Sequence, residues 1–328
     1  MNKNITVFII IILSICCLNG LLTKSVAKPL ACNGFNIDDK NIIVIGDIHG
    51  DKEALVEILQ REKIIDQNQN WINNDKIIVQ VGDVVDRGPQ SLEALELLRY
   101  IQSKGKPGQV IRIIGNHELM LIMGDWGYIN RDYDTPEKID KIISIIKEDI
   151  SNGRMLAAYS LGNIIFSHAG ISQKFIDEID MNSKNSDEIV DFINQKVKDI
   201  INSYCFDGQI CNYNQKCHIA NGKKYCNNYY HYNEIFGSNS IFWFRSNSVK
   251  DDFIPSNKFL QIIGHTIKDK ITVSPDFGAI YVDVGMSSSN NIGYLNIVNN
   301  MILSKNMKNN EWKTENIQDI FCKKSSTY

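Results

Sequence analysis

The sequence lacks a strong charge of either sign. It contains 35 Lys and Arg residues against 38 Asp and Glu residues, which gives the 328 residues a formal net charge of −3. Proteins that bind nucleic acid through its phosphates carry a basic surface, so this balance argues against nucleic-acid binding. The sequence also lacks internal repeats and a linker that would divide it, and its 43% hydrophobic content allows a sizeable core. We therefore predict one main folded domain.

Long hydrophobic runs are also scarce, and the only candidate is residues 5–18. This run is shorter than the ~20 apolar residues that a membrane-spanning helix needs. Lys3 precedes it and small residues follow it, as in a secretory signal peptide. We expect residues 1–27 to be a cleaved signal peptide, with an uncleaved signal-anchor as the alternative. The mature protein would then have no stable membrane span and would enter the secretory pathway, as an endoplasmic-reticulum, secretory-organelle or secreted protein.

Cysteine pairs at the C-x2-C spacing of a structural zinc site are absent. Four cysteines fall in a polar window at about 204–227, and two more lie before and after the apolar runs and motifs, at positions 32 and 322. We expect the four to form disulfides in one of three pairings, and the outer two to form a terminal pair or to stay free or intermolecular thiols. A zinc site that includes His218 is the alternative. Apart from Cys16 and Cys17 in the expected signal peptide, the six cysteines are Cys32, Cys205, Cys211, Cys217, Cys226 and Cys322.

What the sequence does contain is a series of short apolar runs that each end in a polar motif. Runs at 42–45, 77–81 and 110–114 precede GDIHG, GDVVDRG and GNHE, and the amphipathic segments 52–61 and 91–100 separate them. Such alternation predicts strands and helices of an α/β sheet. Ligands of these sheets gather at the carboxyl ends of the strands, so we expect the three motifs to converge.

The second half of the chain repeats this arrangement. Runs at 163–167, 259–263 and 279–284 lead into HAG, GHT and DVGMS. Two more β-like runs lie at 292–297 and 301–303, and a helix is predicted over 187–201. Residues 305–328 form a polar C-terminal tail, which we expect to be loosely packed from Lys308 onward apart from Ile317, Ile320 and Phe321.

The motifs are rich in side chains that bind divalent cations. A single strand-end Asp is often a helix cap, and a single His is often an ordinary buried polar residue. The combination is more specific, because carboxylate, imidazole and amide ligands are present in numbers that suffice for two ions. Two adjacent ions can stabilise both the attacking and the leaving oxygen of a phosphoryl group. These residues are Asp47, His49, Asp83, Asn116, His117, His168 and His265.

In this order, GDIHG, GDVVDRG, GNHE, SHAG and GHT resemble the signature of the phosphoprotein phosphatases, a family of calcineurin-like metallophosphoesterases. The strand-end WFR and the later VDVGMS are similar to the Shewanella-like phosphatase group. The resemblance implies an α/β fold of the metallophosphoesterase type, a β-sandwich of two mixed sheets flanked by helices with a dinuclear metal site at the strand ends. It places the domain at residues 41–304, with the Cys-rich window as an insertion.

The resemblance also implies roles for individual residues. Asp47 and His49 would hold one metal ion, Asp83 would bridge both ions, and a further set would hold the second. His117 would be the general acid, hydrogen-bonded to Asp86. Two guanidinium groups would bind the phosphate. The second-ion set is Asn116, His168 and His265, and the two arginines are Arg87 and Arg245.

The implied reaction is phosphomonoester hydrolysis by direct attack of a metal-bridging hydroxide, with no phosphoenzyme. The ions would be Mn, Fe or Zn, since the ligand set admits each of them. The expected substrate is a phosphoprotein, with phosphoserine, phosphothreonine and phosphotyrosine all allowed. A diadenosine-tetraphosphate hydrolase or other small-molecule phosphoesterase is an alternative, and an inactive lumenal scaffold is the non-enzymatic one.

Three departures from related patterns limit what the resemblance implies. The motif commonly seen as HGG is HAG here, a compact change that should leave His168 in place. The SAPNYC-type loop that shapes the substrate groove of animal-type phosphatases is absent, and residues 283–289 take its position. Many other metallophosphoesterases end in GHxH, whereas Ile267 replaces the last His here. That replacement favours the phosphoprotein phosphatase branch.

Overall fold

A computed structural model describes most of the chain between residues 40 and 317. The expected signal peptide lies outside the described residues, as do Cys32, Cys211 and Cys322. Among the described helices, none combines the length and the apolar character that crossing a membrane requires. The described ranges are 40–72, 74–203, 205–206, 215–220, 223–228, 236–245, 259–289, 291–306 and 311–317.

The described elements alternate between strands and helices through the first half of the chain and are mostly strands in the second. The strands are β1 (Asn41–Ile45), β2 (Ile77–Gln80), β3 (Val110–Ile113), β4 (Met155–Leu156), β5 (Ala158–Leu161), β6 (Ile164–Ser167), β7 (Cys205–Phe206), β8 (Gln215–Ala220), β9 (Lys223–Asn228), β10 (Leu260–Ile263), β11 (Thr272–Ser274), β12 (Ala279–Tyr281), β13 (Gly293–Val298), β14 (Met301–Asn306) and β15 (Glu311–Asn316). The helices are α1 (Lys52–Arg61), α2 (Ser91–Lys104), α3 (Asn116–Met123), α4 (Pro136–Ser151), α5 (Gln173–Glu178), α6 (Ser186–Ser203) and the short α7 (Met286–Ser289).

Two mixed sheets carry the fold. The larger has the order β15-β14-β13-β1-β2-β3-β4, in which β1 to β4 are parallel and β13 runs antiparallel to β1. The smaller has the order β11-β12-β10-β6-β5, with β6, β10 and β12 parallel. One large buried cluster includes side chains of both sheets and of the helices. The predicted architecture of two mixed sheets flanked by helices is confirmed.

The parallel strands are built from β-branched residues that are buried on both faces. In β1, for example, Ile42, Ile43, Val44 and Ile45 are all fully buried. Such continuous apolar runs are typical of parallel strands covered on both sides. The parallel registers place the carboxyl ends of β1, β2 and β3 side by side, and those of β6, β10 and β12 likewise. The polar motifs therefore follow neighbouring strand ends.

Several elements differ from the sequence prediction. The helix α3 begins at Asn116, so the GNHE motif is a strand-to-helix junction rather than a loop. The amphipathic helix α4 was not predicted, although Ile139, Ile143 and Ile146 bury one face at helical spacing. Instead of a loosely packed tail, residues 311–316 form β15, which pairs along the whole of β14. An edge strand can be polar because one of its sides faces solvent.

The Cys-rich window contains a small antiparallel sheet of the order β7-β9-β8. In this sheet Cys226 lies opposite both Cys205 and Cys217 in the backbone register. Since one cysteine forms only one disulfide, these two pairings exclude each other. The disulfides stay a prediction, as does the alternative zinc site.

Candidate dinuclear metal centre

Five parallel strands deliver the predicted ligands to one place. Asp47 and His49 follow β1, Asp83 follows β2, and Asn116 and His117 open α3 after β3. The remaining two follow β6 and β10. All seven side chains are buried, with exposures between 0% and 6%. The residues after β6 and β10 are His168 and His265.

The backbone at this site is held in an uncommon conformation. His49, Asp83, Asp86, Arg87 and His265 all have positive φ angles, between 48° and 69°. For a residue other than glycine this conformation costs of order 1–3 kcal/mol, so it persists only where the surroundings impose it. Here the loops hold one another: the amides of Ile48 and His49 both donate to the Asp83 carbonyl at 2.9 Å. Such clustering of strain is common at functional sites.

Glu118 connects the loop that follows β2 to the junction between β3 and α3. Its fully buried carboxylate accepts hydrogen bonds from the amides of Asp83 at 2.9 Å, Val84 at 2.8 Å and Gly115 at 2.7 Å. The role of this residue was not predicted from the sequence. Its position at the third residue of a helix that follows a strand was the available signal.

The glycines of the motifs are required by close contacts. A Cβ atom on Gly115 would lie 2.0 Å from Oδ1 of Asp83. One on Gly82, where φ is +97°, would lie 2.8 Å from Nδ1 of His168. A side chain at either position would therefore displace a predicted ligand.

Asp83 lies at the centre of the candidate site. One group of potential ligand atoms joins Asp83 with His49 and His117, and another joins it with His168 and His265, each within 4.8 Å. Its Oδ2 is 3.5 Å from Nε2 of His49 and 3.4 Å from Nε2 of His168. A carboxylate shared by two groups occupies the position that a bridging ligand requires.

The histidine rings are oriented as in metal sites. Nδ1 of His49 lies 3.0 Å from the Val85 carbonyl, and Nδ1 of His168 lies 3.0 Å from the Val81 carbonyl. These contacts place Nδ1–H on the carbonyl and leave Nε2 to face Asp83, an arrangement typical of ligating histidines. Nε2 of His265 is buried and has no hydrogen-bond partner among the described residues. A buried ring nitrogen without a partner is expected where an ion binds, so the donor set fits divalent cations.

The electrostatics favour the ligand forms of three of these groups, His49, His265 and Asp83. Burial lowers the pKa of His49 to about 4, and burial together with the neighbouring His168 lowers the pKa of His265 to about 2. Burial alone would raise the pKa of Asp83, but His168 and the other nearby histidines hold it well below its usual value. Neutral imidazole and ionised carboxylate are the forms that bind metals.

Asn116 and Asp47 are the two predicted ligands that belong to neither of these groups. Oδ1 of Asn116 lies 2.8 Å from Nε2 of His168, next to the second group. Both carboxylate oxygens of Asp47 lie 3.1 Å from the amide nitrogen of His265, and its side chain also contacts that of Asp283.

Asp283 follows β12, is 2% exposed and was not predicted as a site residue. It was missed because only the parallel pairing of β10 with β12 brings it there.

The predicted acid and its partner are in contact. Nδ1 of His117 lies 2.8 Å from Oδ2 of Asp86, while its Nε2 lies 3.3 Å from Nη2 of Arg87. Burial would lower the pKa of His117, but the hydrogen bond to Asp86 and the charge of Asp83 raise it overall. This arrangement directs Nε2 of His117 towards Arg87 and the cavity.

A cavity of about 710 Å³ opens beside His117. Both predicted arginines line it, and Nη1 of Arg245 donates to the His265 carbonyl at 3.1 Å. Tyr128 and Trp243 supply an aromatic wall. Tyr128 also accepts a hydrogen bond from the amide of Arg87 at its carbonyl, at 2.9 Å. This contact fixes the loop that carries Arg87 against the segment between α3 and α4.

Two mixed sheets with His and Asp clusters at the strand ends define a metallophosphoesterase. A family model described as calcineurin-like phosphoesterase matches residues 40–267. The chain belongs to this family, and the predicted resemblance is confirmed.

Individual relatives agree with this assignment. The chain is 34% identical to Shewanella-like protein phosphatase 1 of Plasmodium berghei over an alignment of 160 residues that covers 44% of this chain and 43% of that protein. It is 35% identical to Shewanella-like protein phosphatase 2 of Arabidopsis thaliana over 28% of this chain and 24% of that protein. It is also 31% identical to a symmetrical bis(5'-nucleosyl)-tetraphosphatase of Vibrio parahaemolyticus over 40% of this chain and 45% of that protein. The matches thus span less than half of each relative.

The solved structures show the same fold. A cold-active protein tyrosine phosphatase of a psychrophilic Shewanella species superposes with a TM-score of 0.61 over 84% of this chain and 80% of that chain. The two sequences are 19% identical in this superposition. The similarity therefore concerns the architecture of the two sheets.

Proposed function

We propose that this chain is a metal-dependent protein phosphatase that hydrolyses phosphomonoesters. The observation that carries the proposal is the position of Asp83 between two groups of histidines, beside a cavity lined by two arginines. Asp47, His49 and Asp83 would hold one divalent cation. The second would be held by Asp83, Asn116, His168 and His265. When bound there, such ions supply positive charge and a water of lowered pKa as the nucleophile.

The other polar residues act on the phosphoryl group and the leaving group. Arg87 and Arg245 lie in the same cavity and present guanidinium groups that suit the oxygens of a phosphate. Nε2 of His117 faces Arg87 and would give its proton to the leaving oxygen. Asp86 holds the opposite nitrogen of that ring and supports the protonated form.

Two observations support a phosphoprotein as the substrate. Relatives named as protein phosphatases match parts of this chain at 34% and 35% identity. The cavity is also bordered by the half-exposed Tyr128, so it is accessible from the protein surface. Phosphoserine, phosphothreonine and phosphotyrosine side chains are all included in the proposal. A dinucleotide polyphosphate is the second candidate, favoured by the match to a bis(5'-nucleosyl)-tetraphosphatase.

A direct comparison of substrates tests this proposal. Purified protein, treated with a chelator and then supplied with Mn²⁺, would be assayed with phosphoserine, phosphothreonine and phosphotyrosine peptides and with diadenosine tetraphosphate. We expect release of phosphate from peptides and none without metal. Faster cleavage of the dinucleotide would support the second candidate instead. Absence of activity on every substrate, with metal bound, would support an inactive scaffold.

We also propose that the protein enters the secretory pathway and carries disulfides in its Cys-rich window. The apolar run at residues 5–18 and the six cysteines outside the expected signal peptide support this. Intact-mass measurement before and after reduction, on protein made in an oxidising compartment, tests it. Six free thiols would contradict the disulfides, whereas bound zinc would favour the alternative site. Metal analysis of protein from its native source would decide between Mn, Fe and Zn in the dinuclear centre.

A further inference from the structure

Asp283 is a buried carboxylate that the proposed function leaves without a role. It lies two residues beyond β12, is 2% exposed, and its side chain contacts that of Asp47. The strand end that carries it lies against the first metal loop, because a Cβ atom on Gly46 would lie 2.3 Å from the Val282 carbonyl oxygen. Asp283 therefore faces the same side of the centre as Asp47.

The ligands of the two ions are unevenly distributed under the proposed function, on which this inference rests. The second ion has four protein ligands, among them His265, whereas the first has only three. The position of the last His in the GHxH pattern is occupied by Ile267 here, so it offers no ligand. This side chain is 52% exposed, so it does not point into the buried centre. The side of the centre near Asp47 thus gains no ligand from position 267 but has a second buried carboxylate, that of Asp283.

The charges of the buried carboxylates also support a metal-binding role for Asp283. Asp47, Asp83 and Asp283 are three carboxylates, each with 2% exposure or less. Among the ion pairs of the described residues, none joins these three to a Lys or Arg. Burying carboxylates is costly unless they are paired or coordinate metals. Three carboxylates together with one hydroxide balance the charge of two divalent cations, whereas two carboxylates do not.

The rest of the Asp283 environment orients the side chain. Oδ1 accepts a hydrogen bond from the amide of Gly285 at 2.8 Å, which leaves the other oxygen for the side of Asp47. The Asp283 carbonyl accepts the amide of Lys268 at 3.0 Å, and this bond ties the β12 end to the segment after His265. The carboxylate is therefore held at a defined place rather than free to turn away.

We propose that Asp283 is an additional metal ligand, which supplies an oxygen to the ion held by Asp47 and His49. The consequence is a centre with four protein ligands for each ion and an oxygen-rich first site, which suits a harder cation than the second site.

Metal binding by the purified full-length protein tests this without any substrate. Mn²⁺ would be titrated into chelator-treated wild type and Asp283→Asn, and bound metal would be measured by plasma mass spectrometry after dialysis. Asn keeps the oxygen that accepts from Gly285, so the loop is retained. We expect two ions per chain in the wild type. In Asp283→Asn we expect one binding step to weaken more than ~100-fold, beyond the loss that removal of an outer partner of a ligand causes, and the other to stay unchanged. A loss of about 10- to 100-fold would make Asp283 a residue that positions Asp47 and would overturn its role as a ligand.

Two further variants sharpen the result. Asp269→Asn removes a carboxylate from the exposed side of a neighbouring loop and should leave both steps unchanged. Asp47→Asn should weaken the same step as Asp283→Asn, and the double variant should lose less than the product of the two single losses. If Asp283→Asn is insoluble, Asp283→Ser takes its place in the titration.

The outcomes separate this inference from the proposed function. Wild-type protein that binds no Mn²⁺ would contradict both. Two ions in the wild type and two unchanged binding steps in Asp283→Asn would overturn the role of Asp283 alone. The metal-free variant should unfold at the same temperature as the metal-free wild type or higher, since one buried carboxylate has gone. A lower unfolding temperature with unchanged metal affinity would make Asp283 structural and would also overturn the inference.

Discussion

Two buried charge clusters of this protein are built in opposite ways. In one, Asp149 of α4 is fully buried and surrounded by arginines: Oδ2 lies 2.5 Å from Nη2 of Arg112, and Oδ1 lies 2.7 Å from Nε of Arg154 and 3.1 Å from Nη2 of Arg99. In the other, at the metal centre, the described ion pairs and hydrogen bonds join Asp47, Asp83 and Asp283 to histidines and backbone amides and to no Lys or Arg, and Asp47 also contacts Asp283. The first cluster is paired within the protein, and the second is arranged for ions.

This difference between the clusters explains where strained backbone conformations occur. The arginine cluster joins β3 to α4 through ordinary backbone, whereas five residues of the site loops have positive φ angles. Pairing with arginine requires only that two side chains meet, but a metal site requires several ligands at set positions. Loops that are fixed by Glu118 and by one another provide those positions. Substitutions should therefore affect activity at one cluster and stability at the other.

The largest effect is expected for Asp83→Asn, which removes the carboxylate shared by both ligand groups. Both ions would lose a negatively charged ligand, so we expect bound metal to fall and kcat/KM to drop by about 10³-fold or more. Metal analysis and a nitrophenyl phosphate assay measure the two quantities. Activity near the wild-type level at saturating metal would refute a bridging role for Asp83.

His117→Asn should come next, with metal binding largely retained. General acid catalysis contributes typically ~10²- to 10⁴-fold, and it matters most when the leaving oxygen is a strong base. We therefore expect a large loss for phosphoserine peptides and a smaller one for nitrophenyl phosphate. An equal loss for both substrates would argue that His117 binds an ion, as its presence in a ligand group with His49 allows.

Asp149→Asn tests the paired cluster. Both side chains of the Arg112–Asp149 pair are 0% exposed, and loss of one partner leaves a buried charge uncompensated. Such losses cost about 3–5 kcal/mol of stability. Chemical unfolding of the metal-free protein measures this, while activity of the remaining folded enzyme should be unchanged.

The matched control for that variant is the neighbouring Glu148. Its carboxylate pairs with Arg99 and Arg154 but is 51% exposed. Exposed pairs contribute about 0–1 kcal/mol, so Glu148→Gln should change stability little. Equal losses of unfolding free energy in Asp149→Asn and Glu148→Gln would contradict the expectation that the buried ion pair contributes more than the exposed ones.

The sequence was sufficient for the parts of the molecule that depend on local pattern. Ile-rich runs followed by GDIHG and GDVVDRG predicted β1 and β2, and placed Asp47 and Asp83 at their ends. Strand ends in an α/β sheet converge, so the meeting of these loops could also be expected. The parallel registers of β1, β2 and β3 bear this out.

The parts that were missed depend on contacts between distant segments. The role of Glu118 appears only when the loop after β2 lies over the start of α3. Asp283 reaches Asp47 because the two sheets meet at this edge, which neither local sequence shows. Arg112 lies in a strand whose other residues are apolar, and its partner is in α4, which was not predicted. The helical spacing of Ile139, Ile143 and Ile146 was the overlooked signal for that helix.

The smallest effect is expected for Asp86→Asn, which changes the charge behind the proposed acid without removing it. Burial lowers the pKa of His117, while the hydrogen bond to Asp86 raises it, so loss of the carboxylate should lower that pKa. The acid must be protonated, and it loses its proton as the pH rises through its pKa. The fall in kcat at alkaline pH should therefore begin at a lower pH than in wild type, with the optimum reduced only about tenfold or less. The exposed Asp132→Asn is the control, and an alkaline limb that stays in place in Asp86→Asn would show that another group carries the proton.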